Sequence, residues 1–143
     1  MHSRHASVHG IWCSSIKRRM NSGTAIETGA RLAIIEQAGL AVATLIETLE
    51  RDELLRSRLT RTEVLRQLRI LSDGAGGMEA EVRTLMPEID WPGWEAMRRQ
   101  LAQPAGAALD EALWFACESL VPATLLWLRV HRNSNAALFQ MTA

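Results

Sequence analysis

The chain has 143 residues, 48% of them apolar, which is enough for one domain with its own core. Its 16 basic and 16 acidic residues cancel. However, Arg4, Lys17, Arg18 and Arg19 fall in the first 19 residues with no acid among them, which leaves residues 20–143 with 12 basic against 16 acidic groups, a net of −4. That balance excludes non-specific nucleic-acid binding through a broad basic field, so any RNA contact has to come from a local arginine cluster.

Residues 1–23 read as a disordered basic tail carrying His2, His5 and His9, or as an over-called start with the true start at Met20, because helical periodicity begins only after Thr24. The domain proper is expected over 24–133. The first helix shows one stripe, Leu32, Ile35, Gly39, Val42, Ile46, Leu49, at spacings of three and four, with Thr24 and Glu27 as its capping box. A second stripe runs Val64, Leu68, Leu71, Ala75, Met78, Val82, Leu85, with Thr60 and Glu63 as its cap. Gly74, Gly76 and Gly77 sit inside this stripe as a kink or a place of close approach. No strand precedes them and no Lys follows, so they do not form a phosphate loop.

Pro87 ends that segment, and residues 87–92 form a loop into a third helix capped by Asp90, with Pro92 in its first turn. This helix carries Trp94, Met97 and Leu101 and stops near Gln103-Pro104, with Gly106 in the turn. A fourth helix starts near Leu109 and continues through Leu113, Ala116 and Leu120. Pro122 is expected to kink or split it, and Asn133-Ser134-Asn135 to end it. Residues 134–143 read as a frayed tail.

No segment alternates with period two for long enough to make a strand. The expected class is all-α, an antiparallel bundle of four to five helices, homodimeric. No apolar run approaches the length of a membrane span, so no membrane contact is expected. Cys13 and Cys117 form no CxxC or His/Cys cluster. This points to a reducing, cytoplasmic setting, no metal site, no cofactor, and Cys117 as a small core residue. Trp91, Trp94, Trp114 and Trp127 read as core or dimer interface rather than as base-stacking platforms. Asp110 and Glu111 are adjacent, so they point from different helical faces and do not pair.

Four segments in order resemble the HepT toxins of the HEPN superfamily, small helical ribonucleases paired with a minimal nucleotidyltransferase antitoxin. The first helix fits by type only. Val64-Leu65-Arg66-Gln67-Leu68-Arg69-Ile70-Leu71-Ser72-Asp73 is similar to that family's V-I-R-N-L-E-I-I-G-E helix. Pro87-Glu88-Ile89-Asp90-Trp91 is similar to its P-E-I-P-W entry, and Asp110-Glu111-Ala112-Leu113-Trp114 to its D-I-V-W segment. Between the last two lies a degenerate form of the family's Arg-x4-His-x-Tyr ribonuclease motif. Arg98 is kept, Gln103 stands for the His and Ala105 for the Tyr, and Arg99 stands where the family often has Asn.

The resemblance implies a phosphate-binding Arg98, assisted by Arg99, in a cleft across a homodimer interface, with RNA and a minimal nucleotidyltransferase as partners. In the family the His moves a proton as an RNA 2′-hydroxyl attacks its phosphate. A carboxamide has no useful basicity, so Gln103 cannot take that part, a loss worth about 10²–10⁴-fold. The family's antitoxin adds adenylyl groups to the Tyr, and this chain contains no Tyr.

The expected function is therefore that of a catalytically impaired binding or regulatory member of a toxin–antitoxin system. The alternatives are an active RNA-cleaving toxin that uses Arg98 and another base, and a helical dimeric scaffold. Arg98 has the competing reading of a solvated helix residue or interface ion pair, and Gln103 that of a polar helix end. His131 beside Arg132 is a candidate substitute base, or a helix end favoured by the macrodipole. Residues 98 and 103 lie about 140° apart on a continuous helix. They meet only if Gln103 leaves the helix or the partner subunit supplies one of them.

Overall fold

The computed structural model describes residues 22–140, and within them every regular element is helical and no strand occurs. The basic segment with His2, His5, His9, Cys13 and Met20 lies outside the described residues, as do residues 141–143.

Helix α1 spans Ser22–Ile46. Its predicted stripe is buried at Leu32, Ile35 and Val42 and half-buried at Ile46 and Leu49. The helix is already formed at Ser22, so Thr24 lies within it and is not its cap. The predicted solvated connection holds a short helix, α2 (Arg51–Arg56), and the Glu50 backbone N–H donates to Glu53 Oε1 at 3.1 Å before its first turn.

Helix α3 spans Arg58–Gly76 and takes Ser57 as its cap residue. Thr60 therefore sits inside the first turn. Glu63 accepts instead from Arg66 (2.7 Å) and Gln67 (3.0 Å), and these bonds hold its carboxyl down to about 2.

The second stripe is buried along its whole length, yet it belongs to two helices. α3 stops at Gly76 and α4 spans Ala80–Leu85. Two glycines in succession remove helix propensity, and arginines from elsewhere satisfy the carbonyls that the break frees. Arg83 donates to Ala75 O and Gly76 O, both at 3.0 Å, and Arg31 donates to Gly77 O.

Helix α5 spans Trp91–Leu101. Asp90 Oδ1 accepts from the Gly93 N–H at 2.9 Å, and Pro92 sits in the first turn, as the sequence predicts. The last helical run starts at Ala107 and continues to Ser134 as α6 (Ala107–Phe115), a π turn (Ala116–Leu120) and α7 (Val121–Ser134). Pro122 does not split it. The π turn takes up the proline, with the Val121 N–H donating five residues back to Ala116 O.

α1 packs on α3 and α7, and α3 packs on α5. The approach of α1 is close: a Cβ on Gly74 would stand 3.0 Å from Ile35 Cγ1. Trp94, 1% exposed, donates from Nε1 to Thr124 Oγ1 (2.9 Å), and Thr124 donates to Leu120 O (2.7 Å). Trp91 Nε1 donates to Met86 O at 3.0 Å, while Trp114 and Trp127 are half-buried against the core. Cys117 is a buried free thiol, pushed up to about 12 by burial.

Two findings differ from expectation. Residues 136–139, in the stretch expected to fray, form a 3-10 turn against α1 with Leu138 buried. The helices Ala25–Ile46 and Ala107–Ser134 are long and apolar enough to cross a membrane by length and composition, with mean hydropathies of 1.4 and 1.3. Isolated charges interrupt the apolar letters and lower that mean, but not enough to take either helix out of that range. One face of each carries core residues, Leu32, Ile35 and Val42 in the first and Leu113, Leu120 and Leu128 in the second.

Trp94→Ala should lower stability by about 3–5 kcal/mol in urea unfolding, with Trp94→Phe losing clearly less. A Cβ on Gly29 would stand 2.3 Å from the Gln140 carbonyl oxygen. Gly29→Ala should therefore leave α1 helical but free the 3-10 turn, so that chymotrypsin cuts after Phe139 sooner than in the parent. An unchanged cleavage rate would show that the turn is not held there.

Candidate functional site

The last turn of α5 carries Arg98 and Arg99, where cations favour the negative helix end. Both are exposed. Arg98 reaches back to α3: its Nε lies 3.4 Å from Asp73 Oδ1, and its side chain also passes 3.9 Å from Glu95 Oε2. Such exposed pairs add little to stability; this one places Arg98 beside α3. Arg99 has no ion pair among the described residues.

Beside Arg98 lies a shallow cleft of about 210 Å³, lined by Arg69, Ser72 and Asp73 of α3, Arg98 and Leu101 of α5, and Ala102 at the helix end. Its floor is polar in part, since Ser72 is buried and donates from Oγ to Arg69 O at 3.2 Å.

Gln103 has left the helix, as a meeting with Arg98 would require. α5 ends at Leu101, and the Gln103 N–H closes the last turn on Gln100 O at 3.0 Å. Yet Gln103 does not line the cleft, and both it and Ala105 are exposed. Within one chain, the two motif positions are therefore not brought to one cavity.

His131 lies elsewhere. It is 7% exposed, and its Nε2 stands 2.7 Å from Glu88 Oε1 in the loop before α5, while its Nδ1 is buried without a hydrogen-bond partner. The bond to His131 is the first cause holding the Glu88 carboxyl below its ordinary value of 4.5. The cavity it borders, with Thr84, Pro87, Glu88 and Asn135, shares no residue with the Arg98 cleft. Arg132 is spent on Glu36 (2.5 Å) and on the Phe139 ring, 5.2 Å from its centroid. Asp110 pairs with Arg61, not with Glu111. Among the described residues, no three of His, Cys, Asp and Glu come together to hold a metal.

Arg69, Asp73 and Glu88 were not singled out in the sequence. The available signal was local: Arg69 and Asp73 are four residues apart, hence neighbours on one face of α3.

Glu88 is lowered in the fold, so its contribution to stability is present above about pH 4.5 and is lost as pH falls through the folded value. Glu88→Gln should be less stable than the parent at neutral pH. The gap should close as pH falls below 4.5, read as urea midpoints against pH; a gap independent of pH would remove the Glu88 carboxylate's bond to His131 as its cause. Compared with known proteins, the chain matches no family model, no curated protein and no solved structure.

Proposed function

We propose that this chain is a HepT-like HEPN-domain protein of a toxin–antitoxin type system whose ribonuclease site is degenerate, so that it binds or regulates rather than cleaves. The observation that carries this reading is the state of the motif helix. Arg98 is exposed, 3.4 Å from Asp73, at the edge of an open cleft, and the residue in the proton-transfer position is a carboxamide outside that cleft. A guanidinium suits a phosphate group through paired hydrogen bonds. With a carboxamide in the place of the His, the motif can hold an RNA phosphate but supplies no group at that position to move the proton of the attacking hydroxyl.

The burial of His131 and its bond to Glu88 weigh against it as the substitute base. The same reading takes the helices as the family's antiparallel four- to five-helix arrangement. It gives the protein a second copy of itself and a small nucleotidyltransferase as partners, RNA as the contacted ligand, and the cytoplasm as its location.

The test is an RNA-cleavage assay on the purified protein, on Arg98→Ala, and on the double variant Gln103→His/Ala105→Tyr. The parent should be inactive. The double variant should gain Arg98-dependent cleavage, roughly the 10²–10⁴-fold that a general acid–base supplies. Cleavage by the parent that vanishes in Arg98→Ala would replace this proposal with an active endoribonuclease.

A further inference from the structure

The cleft holds a second arginine that the motif does not include. Arg69 lines it from α3, facing the helix that carries Arg98. Arg69 is exposed and makes no ion pair among the described residues. Arg98 is engaged by Asp73 through Nε at 3.4 Å, and its Nη1 lies 3.9 Å from Glu95 Oε2. The end of the guanidinium fork is thus only loosely held.

Two arginines thus line the cleft against the one carboxylate of Asp73, and Arg99, turned about 100° away from Arg98 around α5, does not line it. On a body with a net charge of −4 this is a local excess of positive charge, the kind of cluster an RNA contact requires here. A phosphate group presents several oxygens at once, and two guanidinium groups on opposite walls suit it better than one.

We propose that Arg69 and Arg98 together form a phosphate-binding site, and that its ligand is a phosphodiester group of single-stranded RNA. The ligand class rests on the RNA-binding reading above, whereas the role of Arg69 rests on the cleft itself. No bond is made or broken in this step.

The test uses the full chain and a short fluorescein-labelled single-stranded RNA, with binding followed by anisotropy over a range of salt. Arg69→Ala and Arg98→Ala should each weaken binding roughly tenfold and lower the slope of log K against log salt by about one. Arg129→Ala, which removes an exposed charge from α7, should change affinity less than about twofold. All three positions are exposed, and circular dichroism should show unchanged helix content.

Equal binding by Arg69→Ala and Arg129→Ala would overturn the role of Arg69. If Arg98→Ala alone weakened binding, the RNA-binding reading would stand without this inference. If the parent bound no RNA, both would fall. Unlabelled RNA should displace the probe where the same concentration of inorganic phosphate does not. Displacement by inorganic phosphate alone would overturn the RNA assignment in favour of a free phosphate ligand.

Discussion

The core is built around the closeness with which α1 lies against two other helices. Gly39 faces Leu125 of α7 and Leu71 of α3 at once: a Cβ there would stand 2.9 Å from Leu125 Cδ2 and 3.6 Å from Leu71 Cδ1. Further along the same contact, Ile35 occupies the space that a side chain on Gly74 would need. Close approach lets short apolar side chains interlock without voids, which is where most helix stability in a folded protein originates. It also explains why α1 can be apolar nearly all round, leaving Ile34 and Leu40 exposed, and still keep one orientation. What orients it is the shape of the contact as well as the contrast between an oily and a wet face.

The arginines divide the remaining work. Arg31 and Arg83 are structural, because they donate to the carbonyls that α3 leaves open where it ends. Arg83 also lies over the Trp91 ring, 5.7 Å from its centroid, which ties the end of α3 to the start of α5. The same break borders the candidate site: a side chain on Gly76 would meet Arg98 Nη1 at 3.5 Å. Gly76, at the end of α3, is thus in ordinary van der Waals reach of the guanidinium that borders the cleft.

Much of the helical layout was legible in the letters, since burial repeats at three and four residues wherever a helix meets the core, and because Asp90 and Pro92 mark an unambiguous start. The caps were less legible. Thr24 and Thr60 have the right spacing to an acid, but α1 is already helical at Ser22 and α3 takes Ser57 as its cap residue. The unbroken stripe from Val64 to Leu85 concealed the end of α3, because a stripe records which face is buried and not whether the backbone between is continuous. At the site, the arginine of the motif could be named, but its neighbours come from α3, some 25 to 29 residues away in sequence. Contacts between elements leave no periodic mark, and the pairing of His131 with Glu88, 43 residues apart, was hidden for the same reason.

The π turn at Ala116–Leu120 has a consequence for register. It is one residue more than an α-helical turn would use, and each residue in an α-helix is worth about 100° of rotation. That rotation decides which side of α7 looks toward α5. It places Thr124 beneath the Trp94 indole and His131 beside Glu88. The extra residue acts as a phase correction. An unbroken α-helix through the same residues would instead bring Ala123 and Val130 to the contacts now made by Thr124 and His131.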